Sequence, residues 1–386
     1  MVCIYAACLV FFTCASSLMG SPPLNDSTKN AVGVIIPLSG KLESVGQKIL
    51  KGVEIAAHVF SEGPTPNVEY LIRDYGNNEE SIPKIIEELD REHGVAAIIG
   101  PVGEHAGEIA CREARSRNLP AIIFTQAEMP MQVESYCFRN FVTFDIQAKT
   151  LLGAARDMGI TRFAILNRDD FFGRAFSDAF ERLAPPFRVQ IVQHITYSSQ
   201  NVDFNQQVKS LLGAAKKAST AQPGGKSSGR VAEFEAILIP DSAVNAAMIA
   251  SYIYPKAPNI RLFGPMLWDT PEFVKVGGKY VENAVFVSGF FPNSLLSATQ
   301  NFSRSFIETF KYTPSVWEAS AYDTASILQD FLHVQGLSRP DLRERIATLK
   351  DFPGISGTTS FSSNGSMEKT IYLLTIRGGM VMEFHP

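Results

Sequence analysis

From residue 31 the chain alternates between two hydrophobic periods. Residues 31–37 (AVGVIIP) form a short apolar run rich in β-branched side chains, the pattern of a strand buried on both faces. A small polar stretch with Ser39, Gly40, Ser44 and Gly46 follows. Ile49, Leu50, Val53, Ala56, Ala57 and Phe60 then recur at helical spacing, which predicts an amphipathic helix over 47–60. The cycle repeats with strands at 68–74, 95–99 and 121–124, helices at 79–92 and 105–117, and an extended piece at 138–143. A second series predicts helices at 146–158, 173–183, 204–215 and 242–254, and strands at 162–167, 188–197, 236–240 and 261–264. Strict alternation implies parallel sheets covered by helices on both faces, and two series imply two lobes.

The remainder has a different pattern. A strand-like run at 284–290 precedes helices at 299–310 and 319–335, and short strands at 358–361, 370–376 and 381–384 end the chain. The late helices must return to one lobe while the last strands finish the other, so the chain crosses between lobes several times. The expected division is 31–142 with about 290–346 for the first lobe, and 143–289 with about 347–386 for the second.

The first thirty residues stand apart. An apolar core at 4–12, too short to span a bilayer, is followed by small residues and Ser21-Pro22-Pro23. This predicts a secretory signal over 1–20 and a short linker over 21–30. Cys14 is a candidate for lipid attachment, which would anchor the exported chain to the cell envelope. The two cysteines of the remaining chain, Cys111 and Cys137, would be free to pair in an oxidising compartment.

Composition narrows the chemistry. The net charge of −4 and the lack of a basic run leave no footprint for nucleic acid. No HExxH or CxxC is present, and no GxGxxG follows the first strand. Neither an enzyme, a metal site nor a nucleotide cofactor is therefore expected. The segment 217–230 is small, polar and Gly-rich, a surface loop.

The ordered pieces AVGVIIPLSG (31–40), YLIRDYG (70–76), VAAIIGP (95–101), LPAIIFTQA (119–127), RFAILNRDDFFGRA (162–175), RLFGPMLWD (261–269) and AYDTASIL (321–328) resemble the type I periplasmic solute-binding proteins, particularly the branched-chain amino-acid group. CFRNFVT (137–143), IPDSA (239–243) and DFPGISGTTSF (351–361) are similar to a branch labelled penicillin-binding-protein activators. The resemblance implies a two-lobed α/β fold, each lobe a parallel sheet flanked by helices. It implies an extracytoplasmic receptor that closes on a small polar ligand, an amino acid or related compound, and hands it to a membrane ABC transporter permease. The alternative it implies is a regulator of cell-wall synthesis that docks on a synthase.

Ligands of open parallel sheets bind beyond the carboxyl ends of the strands. That rule, with the resemblance, selects Ser39, Thr125, Gln126, Phe172, Asp241 and Asp269 as the expected ligand-binding residues. The loop at 101–105 offers no hydroxyl where the amino-acid binders have a serine-rich turn, and Met266 stands where they place an acid. Arg139 falls at the expected hinge, and His105 reads as a solvated residue at a helix start.

Overall fold

The computed structural model describes residues 30–60, 67–127, 135–200, 203–213, 233–334, 336–362, 365–369 and 371–386. The expected signal over 1–20, Cys14, nearly all of the linker and the loop at 217–230 lie outside them.

The first sheet is built from β1 (Asn30–Ile36), β2 (Val68–Asp74), β3 (Ala97–Val102), β4 (Ala121–Phe124) and β5 (Cys137–Arg139), in the order β2-β1-β3-β4-β5. Every described pairing in it is parallel. α1 (Glu43–Ala56), α2 (Ile82–His93) and α3 (Glu104–Ser116) connect these strands. Successive side chains of a strand point to opposite faces. Val32, Val34 and Ile36 accordingly enter the core under α1, and Ile35 enters a second core with α2 and α3. Gly46 is required where α1 leaves the strand end, because a Cβ there would lie 1.9 Å from the Pro37 carbonyl oxygen.

The second series supplies α4 (Phe144–Asp157), β6 (Arg162–Asp169), α5 (Phe171–Leu183), β7 (Gln190–Ser198), α6 (Asn205–Gly213), β8 (Ala236–Leu238), α7 (Ala243–Ile253), β9 (Arg261–Gly264), α8 (Pro271–Gly277) and β10 (Val285–Ser288). α9 (Ser297–Phe310), α10 (Val316–Leu332) and α11 (Arg339–Ala347) follow. Then come β11 (Phe352–Gly354), β12 (Gly357–Phe361), β13 (Met367–Lys369), β14 (Tyr372–Arg377) and β15 (Met380–Glu383). The second sheet has the order β15-β14-β10-β9-β8-β6-β7. Its β6–β10 part is parallel, and β14 and β15 add an antiparallel edge.

The last strands divide between the lobes. β11, β12 and β13 form a small antiparallel sheet. It sits beside the first sheet: Ser366 bridges Arg139, and Phe361 packs edge-on to Phe138 at 5.6 Å. Buried Asp323 of α10 holds this sheet through the Ile355 backbone N–H (2.7 Å) and the Lys369 ammonium (3.1 Å). Only β14 and β15 join the second sheet from this end of the chain. The chain thus passes between the sheets at 140–143, at 289–296 and between Lys369 and Tyr372.

α10 packs against α1, where Gly52 of α1 lies so close to the Glu318 carbonyl that a Cβ would come within 2.3 Å. Cys111 of α3 and Cys137 of β5 form a disulfide with Cα atoms 5.1 Å apart, which settles the pairing that the sequence left open. No described helix is long and apolar enough to cross a membrane.

Candidate functional site

The strand-end loops of both sheets meet on the first two turns of α4. Thr143 caps this helix, its hydroxyl accepting the Ile146 N–H at 3.2 Å. The Phe144 N–H donates to the Gln126 carbonyl, 3.0 Å away in the loop after β4. One turn on, the Gln147 Oε1 accepts the Met266 N–H at 3.0 Å, in the loop after β9. That bond fixes which end of the buried Gln147 amide is oxygen. Its Nε2 is then left buried without a partner among the described residues, and so is the Oε1 of Gln126. Buried polar groups are nearly always hydrogen-bonded, and an unmet one costs about 1–3 kcal/mol. One free donor and one free acceptor therefore flank the point where the lobes join.

An aromatic wall stands beside these amides. The Phe172 ring lies edge-on to Phe144 at 5.3 Å and stacks near Phe176 at 5.9 Å. Phe171, 59% exposed, is 6.5 Å from Phe144. The first turn of α5 holds both phenylalanines, and Asp170 caps that turn by accepting the Gly173 N–H at 2.8 Å. Arg168 grips the cap with Nε at 2.5 Å from the Asp170 carboxylate and reaches Asp241 at 3.5 Å.

Asp241 and Asp269 end adjacent strands in different circumstances. The side chain of Asp241 is fully buried. It accepts from the Tyr197 hydroxyl, from the Ser242 N–H at 2.6 Å and from the Asn245 Nδ2 at 3.1 Å. Burial, and then the bond to Asp241, push the Tyr197 phenol far up. Asp269 follows the turn that starts at Met266. Burial raises its carboxyl to about 6, with only the Ser288 hydroxyl pulling it back.

The other expected residues serve local structure. Ser39 is exposed and donates to Asp74 at 2.7 Å; the same carboxylate accepts the Leu38 and Gly76 N–H groups. Thr125 is buried, its hydroxyl accepting the Ala127 N–H at 3.2 Å. Arg139 is buried and donates to the Ala127 carbonyl at 2.9 Å and to Ser366 at 3.3 Å. His105 is exposed, 3.6 Å from Glu80. Glu88, Glu92 and His93 bring ligand atoms within 4.8 Å of one another, but Glu88 already holds Arg73 at 2.7 Å.

Of the six expected residues the structure brings Gln126 and Phe172 to the α4 junction, with Asp269 three residues beyond the Met266 contact. It commits Ser39, Thr125 and Asp241 to internal bonds. Gln147 was missed by sequence reasoning, although it left a signal: a polar amide on the apolar stripe of α4 that also carries Phe144 and Leu151. Ser288 gave no signal, because its role depends on β10 lying beside β9.

Two lobes joined by several strands of chain, with the carboxyl ends of two parallel sheets meeting at one helix, define a hinged binding protein. The chain belongs to the periplasmic binding protein family, which it matches over residues 30–380. Solved structures agree. The leucine binding protein LivK from Thermotoga maritima MSB8 has a TM-score of 0.68 at 19% identity, covering 92% of this chain and 98% of that one. LivJ from Streptococcus pneumoniae, a branched-chain amino acid transporter substrate binding protein solved with isoleucine, gives 0.69 at 19%, covering 92% and 97%. An ABC transporter solute binding protein from R. palustris, solved with benzoate, gives 0.69 at 17%, covering 92% and 94%. At these identities the likeness is one of fold. No curated protein matches the sequence.

Proposed function

We propose that the chain is an extracytoplasmic solute receptor that closes on a small polar ligand, an amino acid or related compound, at the junction of its lobes. We further propose that it delivers that solute to an ABC transporter permease. The observation that carries the reading is the pair of unpartnered amide atoms beside the first turns of α4. Gln126 Oε1 needs a donor and Gln147 Nε2 needs an acceptor. A ligand that supplies both relieves two desolvation costs at once. Phe171 and Phe172 offer it an apolar face, and Asp269, with a sparsely satisfied carboxyl, offers a place for an ammonium or another donor. The crossings at 140–143, at 289–296 and between Lys369 and Tyr372 serve as the hinge; closure of hinged lobes around ligands is a common way to bind them. The lobe extents follow from those crossings, and export follows from the leader at 1–20 and the family.

Docking on a cell-wall synthase, the other reading of the sequence, calls for a cleft filled with apolar side chains. The free amides favour a solute.

A thermal-shift screen tests the proposal with amino acids, small amides, short peptides, aromatic acids and cell-wall fragments. A ligand that binds only the folded chain stabilises it by about 2.7 kcal/mol at a hundredfold excess over its dissociation constant. A clear rise in Tm with one class, markedly smaller in Gln126→Leu, is expected. A flat response to every class would overturn the receptor reading.

A further inference from the structure

The first lobe carries an apolar surface that the solute site does not use. On its outer flank Ile55, Phe302, Tyr322 and Ile355 line a groove of about 410 Å³, edged by Asn301 and Ser305 of α9. Phe60 also lines it and is 53% exposed, its ring edge-on to Phe310 at 5.4 Å. Val59 is 61% exposed, Ile307 of α9 41%, and Leu295 and Leu296 just before α9 are 90% and 48%. A single exposed apolar residue needs no explanation, but one at the rim of an apolar groove, with further exposed apolar side chains on the segments beside it, marks a contact surface.

Its position separates it from the cleft. α1 meets the strand-end loops at its first turn, Glu43, and the groove lies at the other end, past Ala56. At 1.5 Å per residue that is about 20 Å along the helix. Whatever covers this face leaves the solute site open.

The charges say what fits. Arg304 and Glu308 lie one turn apart on α9. Both are exposed, and neither side chain has an ion pair or hydrogen bond among the described residues, although the Glu308 carbonyl accepts the Lys311 ammonium at 2.8 Å. A helix that carries both signs at this spacing is complementary to its own reversed copy: Arg304 of each chain meets Glu308 of the other. A partner bearing one sign would face a like charge at one of the two.

We propose that this face is where two copies of the chain associate, about a two-fold axis passing near Ser305. α9 lies antiparallel to its counterpart, the two Arg304–Glu308 pairs close on either side of the axis, and Phe60 of each copy is covered by the other. Such an isologous contact is closed, so assembly stops at the dimer.

Sedimentation velocity of the whole chain over a wide concentration range tests this. The mass is expected to rise from 42.3 kDa toward twice that value. Arg304→Glu and Glu308→Arg should each raise the dimer dissociation constant at least about tenfold, because each sets like charges opposite one another twice. The double variant R304E/E308R should restore association, an outcome that damage to folding would not produce. Phe60→Ser should weaken association without lowering the Tm of the dilute chain. A single-chain mass at every concentration would overturn the proposal. So would a double reversal that stays monomeric, or capture of a different protein by this face while the chain itself remains monomeric. Solute binding is measured separately, so either reading can fail without the other.

Discussion

Asp241 and Asp269 end neighbouring strands of one sheet, both follow short apolar runs, and both look like cleft acids in the sequence. The structure treats them oppositely. Asp241 is surrounded by donors from Tyr197, Asn245, the Ser242 backbone and Arg168. Through Arg168 it steadies the Asp170 cap of α5, which carries Phe171 and Phe172. Asp269 is half-buried, and its surroundings raise its carboxyl to about 6 with only the Ser288 hydroxyl offsetting the rise. A carboxylate whose bonds are all made holds structure, whereas one whose bonds are unmade is available to a ligand. The same contrast separates Ser39, bonded to Asp74 at the end of β2, and Thr125, bonded within its own loop, from Gln126 and Gln147, each left with an amide atom unpartnered among the described residues.

The largest expected effect lies on the satisfied side. Asp241→Ala strands Tyr197, Asn245 and Arg168 together, and breaking a buried, hydrogen-bonded charge pair costs about 3–5 kcal/mol. Urea unfolding should show that loss; a change below about 1 kcal/mol would break the comparison, since surface substitutions do as little. Asp269→Asn should act with the opposite sign. The folded chain holds the Asp269 proton more tightly than the unfolded chain, whose value is near 3.8. Wild-type stability therefore falls as pH rises from about 4 through about 6. The asparagine variant escapes that loss. It should match wild type near pH 3.5 and exceed it above pH 6, by up to about 3 kcal/mol. Melting curves across that range read the difference, and a gap that narrows as pH rises would refute it.

Smaller effects sharpen the contrast. Gln126→Leu removes a buried acceptor that no described residue meets, so the ligand-free chain should be unchanged or about 1 kcal/mol more stable. Gaining stability at the expense of binding is the usual mark of a functional position. A clear loss of stability without ligand would mean that Gln126 is structural. Ser39→Ala deletes one exposed hydrogen bond to Asp74 and should cost less than about 1 kcal/mol, with no change in solute affinity.

Most of the fold was legible because its strands are buried on both faces. Runs such as AIIF at 121–124 and RLFG at 261–264 are continuous in the sequence and became β4 and β9 with the same bounds. α11 was not foreseen: RPDLRERIA buries only Leu342, Ile346 and Ala347 and has no amphipathic stripe. β11 and β13, three residues each, are held by partners rather than by pattern. The expectation that 347–386 finishes the second lobe rested on treating the last strands as one set. The pairing of Arg139 with Ser366, far apart in the chain, is what draws β11 to β13 toward the first sheet.

The site was legible as a set of loops but not as a set of contacts. A serine or aspartate after a strand looks the same whether it turns inward or faces the cleft. Tyr197, which engages Asp241, is 44 residues away in the chain, and no local pattern announces it. Gln147 was within reach, since an amide on an apolar helix face must be accounted for.

The most direct test of the account is a calorimetric titration of the strongest-binding solute into wild-type chain and into Gln126→Leu. The account predicts saturable one-site binding to wild type. It also predicts at least about tenfold weaker binding to the variant, the effect of about 1.4 kcal/mol from one lost buried hydrogen bond, with the variant's ligand-free stability undiminished. Equal affinity in the two chains would contradict it and place the solute away from the α4 junction.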